Sequence, residues 1–551
     1  EDGPIERNWQ QSDEQPPQVS GLTISHYNRF GKVVSTQRLD AQRLNAHLRQ
    51  TQSPDAQLSV KQHLDTLLLS KQLQALDTSY YTYDGLGNCI QLKQLTDEQE
   101  RVTHYAYDAW KRVSSTTLPD KTIVNRRFAD HSSSELTIDL QVTPGNANQP
   151  TVVVGQQSFD GLERLTEVRV GSLDNPRVEQ YRYKERQMQV WRRVTPARKN
   201  IDHEYNLALS PQPVSITTLE GQENYAYDPL DAAISRVGTD DNGIQYKYSA
   251  DGHLLSEKQV DNGKTIQDRQ YVYSLLGRQM SSSVAGGLDT HMEYDDSGRL
   301  AKLTQGELEA EFTYNGLSLL SRTITRNLRT RLSLTTEVKY DTLTREIERT
   351  FQLTDQPLHT LTQTWFADDQ LQSRHLQTAG RSLLKEEFTY DPRNRLIRHT
   401  CSGENLPTDV YGNAITQQVF TFDALDNIQR CVTTFKDDTT DIARFTYTGD
   451  DACQLSSVTH THTAGGYPAS QSFEYDADGN MLNDQHGKQL SYDSRGRLLA
   501  VKDVSGQQTL STYRYDGHSN LLGVREDQQE ETLRFYSGYR VHHTVQADKR
   551  T

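Results

Sequence analysis

Repeated carboxylates are the first residues of this 551-residue chain to invite a chemical reading. Eleven aspartates directly follow an aromatic residue: Asp84, Asp108, Asp160, Asp228, Asp295, Asp341, Asp391, Asp423, Asp476, Asp493 and Asp516. Two carboxyl groups flanking a glycosidic bond can act as acid and as nucleophile or base, and Asp478 with Asp484 is the pair a β-solenoid hydrolase would use. Such a site needs one or two carboxylates at a set separation, whereas here the same aspartate returns throughout the chain. Where it is replaced, the substitutes are Asn206, Ser249, Ser274, Asn315 and Thr448. All are turn formers. Turn chemistry explains that exchange and acid–base catalysis does not, so the aspartates read as structural.

His460-Thr461-His462 puts two imidazoles on one strand face, a spacing that can hold a metal, but no third ligand is visible and solvent-facing histidines are the expectation. His542-His543 lies near the end of the sequence. Cys89, Cys401, Cys431 and Cys453 show no CxxC spacing and no tight Cys/His set. They read as free thiols on strands, neither a zinc site nor a disulfide framework. Nucleophile elbow, phosphate loop and HExxH motifs do not occur. The expectation is a non-enzymatic chain with no catalytic residues, no cofactor and no metal.

The elements that carry the aspartates are repeats. Tyr83-Asp84-Gly85-Leu86-Gly87-Asn88, Tyr294-Asp295-Asp296-Ser297-Gly298-Arg299-Leu300, Tyr475-Asp476-Ala477-Asp478-Gly479-Asn480 and Tyr492-Asp493-Ser494-Arg495-Gly496-Arg497-Leu498 are the clearest copies. Tyr107-Asp108, Tyr227-Asp228, Tyr390-Asp391 and Tyr515-Asp516 begin others, and Tyr27-Asn28 precedes them all. Twenty aromatic anchors from Tyr83 to Tyr536, Phe366 among them, recur at a mean spacing of about 24 residues, within the range of repeat architectures. A second aromatic often stands two before the anchor, as in Tyr105/Tyr107 and Phe388/Tyr390, which puts both rings on one strand face. Asp and Gly then turn the chain, and an apolar run such as Leu498-Leu499-Ala500-Val501 follows. Each unit is strand, tight turn, strand. Successive hairpins should pair laterally, with the anchor rings stacked in a ladder.

This pattern resembles the YD repeats of the Rhs family, which includes the B and C subunits of bacterial insecticidal toxin complexes, Rhs polymorphic toxins and, more distantly, teneurins. The resemblance runs from about Tyr83 to Tyr539. It implies a mainly β fold, a long antiparallel sheet of YD hairpins spiralling into a hollow shell, or cocoon, around a C-terminal toxin polypeptide. Members of the family close the shell with an Asp-Pro-x-Gly-rich core and a self-cleaving aspartyl site. The Asp-Pro pairs here, Asp228-Pro229 and Asp391-Pro392, lack the following Gly and sit inside ordinary repeats, so the autoproteolytic residues are not carried over. The repeats continue to Lys549-Arg550-Thr551, which reads as a shell segment incomplete at its C-terminus, without core or toxin domain.

Composition fits a thin wall. Apolar residues are 34% of the chain, and adding 33 glycines gives about 40%, below the usual share of a globular domain. Yet 28 Tyr and 13 Phe argue against disorder. A single sheet wetted on both faces needs few aliphatics. A net charge of −15 disfavours nucleic acid and anionic membranes as partners. No signal peptide and no apolar run of spanning length is present in this sequence.

The expected organisation is a linker over 1–22, a first hairpin over 23–35, a helical insertion over 36–77 and the repeat shell over 78–551. The helices rest on Leu39, Leu44 and Leu48, then Leu64, Leu67, Leu68 and Leu76, with Ser53 and Asp55 as caps beside Pro54. They read as a plug or buttress. The functional expectation is a structural segment that encloses a toxin polypeptide before delivery, with the remaining shell segments or a toxin-complex subunit and the cargo as partners. Such a protein would be secreted or delivered by a bacterial secretion system. The alternative is an extracellular carbohydrate-binding or adhesion repeat protein presenting tyrosines such as Tyr467 to sugars.

Overall fold

Hairpin follows hairpin in the computed structural model, which describes residues 4–12, 17–50, 60–70, 72–97, 99–146, 149–462, 466–527, 529–546 and 549–550. Thirty-six strands form one antiparallel sheet in which each strand pairs with its neighbours in sequence. Seven further strands, from Gln489 to Arg550, form a second sheet of the same kind. The bridges Tyr475↔Met481 and Asn483↔Gln489 link the two. The expected long antiparallel sheet of hairpins is therefore the observed fold.

Strand faces differ. In the strand Arg381–Tyr390, Glu386 is buried and Phe388 and Tyr390 are half-buried, while Lys385, Glu387 and Thr389 are exposed. The same alternation puts Tyr81 and Tyr83 on one face and exposed Tyr80 and Thr82 on the other. No second layer covers this strip along most of its length. The accessible surface is 31797 Å², against about 20,000 Å² expected for a compact monomer of this mass. A wall wetted on both sides explains both the excess surface and the low apolar content.

The conventional core is local. Ten of the thirty buried apolar side chains among the described residues form one cluster around two helices, α1 (Gln42–Gln50) and α2 (Val60–Leu69). Leu44, Leu48, Leu64 and Leu67 pack onto Val19, Leu22 and Ile24 of the strand Val19–Tyr27. Asn45 joins the two, its Oδ1 accepting the Val19 amide at 2.7 Å and its Nδ2 donating to the Val19 carbonyl at 2.9 Å. The helices thus buttress the start of the sheet.

Three boundaries need correction. Residues 1–22, read as a linker, include the strand Ile5–Gln11, paired antiparallel to Val19–Tyr27. Its polar, edge-facing sequence hides the alternation that marks a strand. The first hairpin extends beyond 23–35, from Val19 to Leu39. Leu39 ends the strand Val33–Leu39 and Leu76 lies in the strand Ala75–Tyr83, so the helices occupy only the middle of 36–77. The expected caps Ser53 and Asp55 lie outside the described residues.

A strip with its mass at the periphery must scatter differently from a solid domain. A compact 551-residue body would have a radius of gyration of about 24 Å. Small-angle scattering should give a clearly larger value. A value at or below 24 Å would rule out the wall geometry.

Candidate functional site

The two long edges of the strip are built of turns. At most anchors the ladder slips by one residue. Thr82 faces Gln91, whereas Tyr83 faces Cys89, so two residues of the exit strand answer one of the entry strand. The same bulge occurs at Tyr107, Tyr294, Tyr390, Tyr492 and Tyr515. The anchor hydroxyl then reaches back one repeat. Tyr107 donates to the carbonyl of Cys89 at 2.6 Å, and Cys89 is the residue that faces Tyr83. Tyr294 does the same to Gln279, Tyr314 to Leu300, Tyr390 to Leu371 and Tyr515 to Leu498. Tyr83, Tyr227 and Tyr475 donate to Val33, Pro213 and Leu455. At these tyrosine anchors the hairpin is pinned to its predecessor by one hydroxyl.

The aspartate closes its own turn. Asp84 Oδ1 accepts the amides of Leu86 and Asn88, and Oδ2 accepts Asn88 Nδ2, all at 2.9 Å. Asp476 and Asp516 pair with Asn480 and Asn520 in the same way. At Asp108, Asp295, Asp391 and Asp493 the side-chain donor is an arginine five residues after the anchor: Arg112, Arg299, Arg395 and Arg497. Asp228 accepts the Leu230 amide in a longer turn. At Asp84, Asp160 and Asp295 such donors depress the carboxyl pKa. The Asn88 amide is the largest cause at Asp84, the Arg164 side chain at Asp160 and the Arg299 amide at Asp295. Gly298, Gly479 and Gly496 hold the left-handed position of the turn, with φ of 79°, 88° and 77°.

The expected ladder of stacked anchor rings is corrected. Ring–ring contacts among the described residues rarely join successive anchors. The turn arginine lies over the next anchor instead: Arg112 over Phe128, Arg164 over Tyr183, Arg299 over Tyr314 and Arg497 over Tyr515, at 4.5–5.0 Å. One guanidinium thus bonds its own aspartate and covers the following ring. The anchor taken as Phe366 is Trp365, whose Nε1 donates to the Glu346 carbonyl at 2.8 Å.

The strip winds back on itself along a polar seam. Contacts across it join residues 253 to 331 positions apart. The first winding contributes the hairpin ends opposite its aromatic–Asp turns, and the second contributes those turns. Arg101 donates to Asp368 at 2.5 Å and to Asn394 at 2.6 Å. Lys199 pairs with Asp478 at 3.0 Å, and the Ala197 amide donates to the same carboxylate at 2.7 Å. Glu220 accepts the amide and hydroxyl of Ser494, Glu223 pairs with Arg495, and Asp261 with Arg514. Arg177 pairs with Asp451 and passes so close to Gly479 that a Cβ there would lie 1.6 Å from its Nη1. Burial alone would raise Asp478. The Ala197 amide and Lys199 outweigh it and hold the group below its usual range. Glu220 is likewise depressed against its burial by Ser494.

The opposite edge of the first winding is uncovered. At six of its turns the residue three after the anchor is apolar and exposed, namely Phe30, Leu86, Trp110, Leu162, Leu230 (95%) and Leu276, while others carry polar residues such as His131, Arg186 and Asp251. At the same repeat position four turns of the second winding have Asp368, Arg393, Asp478 and Arg495, each engaged in the seam, while two others have half-buried Leu343 and Leu425.

Other sequence candidates are placed elsewhere. Asp484 closes its own turn by accepting the amides of His486 and Lys488. His460 and His462 are half-buried rather than solvent-facing. His460 Nδ1 lies 2.7 Å from buried Asp441, and both rings pack on Tyr467. Tyr467, bonded to Asp409 at 2.5 Å, is half-buried in that cluster and not displayed. The four cysteines are free, with Cys401 and Cys431 buried, and Cys453 sits in a turn rather than on a strand. Sequence reading missed one set: Glu386, His399 and Cys401 bring possible ligand atoms within 4.8 Å of one another. The spacing of His399 and Cys401 was legible, but the pairing that supplies Glu386 was not.

Comparison with known proteins agrees with the repeat reading. Residues 83–123 match the family model for the RHS Repeat, and residues 407–535 match that for the Teneurin YD-shell. The search of curated proteins gives no match. The fold is similar to that of the crystal structure of TcdB2-TccC3, with a TM-score of 0.61 and 12% identity over 99% of this chain and 33% of that one. It is also similar to the Photorhabdus luminescens Tc holotoxin pore with a mutated TccC3, with a TM-score of 0.60 and 12% identity over 99% of this chain and 32% of that one. This chain therefore spans about a third of the length of the solved chains it matches.

Two outcomes are expected. Tyr294→Phe should cost about 1 kcal/mol in a urea melt by removing the hydroxyl pin, and Tyr294→Ala should cost more. Equal, negligible losses would refute the pin. Asp478 and Glu220 have folded pKa values below 3.8 and 4.5, so their stabilisation is present above those values and lost as pH falls through the folded ones. The melting temperature should fall below about pH 4.5, and Asp478→Asn should make that fall shallower. An unchanged slope would remove Asp478 from the seam's acid response.

Proposed function

We propose that this chain is a non-enzymatic wall segment of a toxin-complex shell that encloses a polypeptide cargo before delivery outside the producing cell. The seam is the observation that carries this reading, since a strip that bonds to itself one winding later bounds a lumen. Asp120 on one winding meets Arg393 on the next, and between them run twenty-three strands, from Ile123–Phe128 to Arg381–Tyr390. At about 4.8 Å per strand a round winding has a circumference of about 110 Å and a diameter of about 35 Å. Subtracting about 10 Å for side chains leaves a bore of about 25 Å. That admits a helix about 10–12 Å across, or an extended or partly folded chain. Likeness to the TcdB2-TccC3 fold supports the same reading.

The uncovered edge supports a shell partner. Its turns repeat those of the seamed edge, yet at five of them Leu86, Trp110, Leu162, Leu230 and Leu276 are apolar and exposed where the seamed edge has charged groups at four of its own. A row of this kind marks an interaction surface, and the edge of a further shell segment is the surface that matches its length and repeat. The half-buried setting of Tyr467 gives no support to sugar stacking at that residue.

Limited proteolysis of the chain assembled with its partner shell segment and cargo tests both parts. Cargo should survive protease levels that degrade it when free. Leu230→Asp with Leu276→Asp should abolish protection and weaken partner binding, while the chain alone melts unchanged because both side chains are exposed. Cargo cut equally fast with and without the wild-type shell would refute encapsulation. Protection untouched by the double substitution would refute the edge assignment.

A further inference from the structure

Two neighbouring strands of the second winding bring a carboxylate, an imidazole and a thiol to one point. Arg381–Tyr390 and Leu396–Ser402 pair with Glu386 opposite Cys401 and Phe388 opposite His399. All four side chains share the half-buried face. Glu386 is 4% exposed and Cys401 6%. Glu386 Oε1 lies 3.0 Å from His399 Nε2, and Cys401 Sγ lies 3.3 Å from the same nitrogen.

That shared nitrogen separates two chemistries. A Cys–His–acid relay holds the acid on one ring nitrogen and the nucleophile on the other. Here both approach Nε2, which cannot accept a proton from sulfur while donating one to the carboxylate. Three ligand atoms of different type gathered within 4.8 Å of one another is the arrangement a cation requires. We propose that Glu386, His399 and Cys401 form a zinc(II) site with water in the fourth position. Zinc bonds of about 2.0–2.3 Å in tetrahedral geometry put ligand atoms about 3.3–3.6 Å apart. The two separations from Nε2 need to open only by a few tenths of an ångström, and all three ligand atoms already lie within 4.8 Å of one another. Mixed sulfur, nitrogen and oxygen donors select zinc over magnesium or calcium, which take oxygen ligands.

The surroundings suit the assignment. Arg374 Nε holds Glu386 Oε2 and its Nη2 reaches Oε1 at 3.0 Å. With zinc on Oε1, the guanidinium keeps Oε2 and orients the carboxylate from outside. The Phe388 ring lies parallel to the imidazole, 5.0 Å away and inclined by 3°, fixing its plane. Zinc binding converts the Cys401 thiol to a thiolate and releases its proton to solvent, while His399 binds through the Nε2 lone pair of its neutral form. Burial pushes the free Cys401 thiol up to about 11, so the metal must displace that proton.

Metal titration of the purified full chain, stripped with chelator and supplied with zinc alone against a chromophoric competitor, tests the site. One zinc per chain should bind, and Cys401→Ser or His399→Gln should weaken it at least about 100-fold, the upper end of what outer partners cost. Cys453→Ser, at the exposed thiol, should change nothing. Cobalt(II) in place of zinc should give wild-type protein a thiolate-to-metal charge-transfer band, a readout that does not depend on any variant folding. Absence of stoichiometric zinc, absence of that band, or binding indifferent to Cys401→Ser would overturn the proposal.

Discussion

A single-layer sheet has no interior in which to satisfy its edges, and this constraint governs the whole chain. Every reversal of direction exposes amides and carbonyls that a two-layer domain would cover. Here each turn meets that demand from its own sequence. The aspartate takes the turn amides, and where the next anchor is a tyrosine its hydroxyl takes the exit carbonyl. Because the second bond crosses to the following hairpin, local satisfaction also sets the lateral register. The stability of the strip is accordingly spread along its length, as nearest-neighbour repeats require. The exception is the cluster around α1 and α2, where the first strands gain a second layer and the ordinary apolar core returns.

Where windings meet, the same residues change duty. Asp368 and Asp478 belong to turns of the second winding but bond to Arg101 and Lys199 of the first. Burying such charges costs desolvation that their pairing only partly recovers. Arg269 illustrates the cost: it is 1% exposed, with Nη1 on the Tyr536 carbonyl at 3.3 Å and no protein partner for Nε or Nη2. An apolar seam would bind at least as tightly but would slide, since one leucine fits many grooves. Paired charges of both signs accept one register and oppose the rest. A wall that must close at a set diameter needs that selectivity more than it needs adhesion.

The sheet, its turns and its hollow character were legible in the sequence because they depend on residues within one repeat. Tyr294, Asp295 and Gly298 announce anchor, turn and left-handed position within five residues. The arginine at Arg299 was visible too, but not that it would cover the ring of Tyr314, since this depends on how far adjacent hairpins are offset. Ile5–Gln11 escaped because an exposed edge strand needs no alternation. The seam and the Glu386–His399–Cys401 set escaped for a different reason. One depends on the circumference of the winding and the other on a strand pairing, and neither quantity is written in local spacing.

One signal of the third dimension was nevertheless present. At six repeats of the first half the residue three after the anchor is apolar (Phe30, Leu86, Trp110, Leu162, Leu230, Leu276), and at four of the second it is charged (Asp368, Arg393, Asp478, Arg495). The switch is partial, since the first half also has His131, Arg186, Asp251 and Ser297 there and the second Leu343 and Leu425. Turn geometry is the same in both halves, with the left-handed residue at Lys111 and Glu163 as at Asn394 and Gly496. The turn itself therefore cannot be the cause of the switch. What differs is the surface each turn meets, which is the charged hairpin ends of the first winding in one case and none of the described residues in the other. A repeat position that tolerates both leucine and aspartate reports contacts made outside the repeat. The exposed Leu276 and the seam-bonded Asp368 bracket the interval in which the strip completes its first circuit. The first inter-winding bonds of the second pass begin at Thr342, inside that interval.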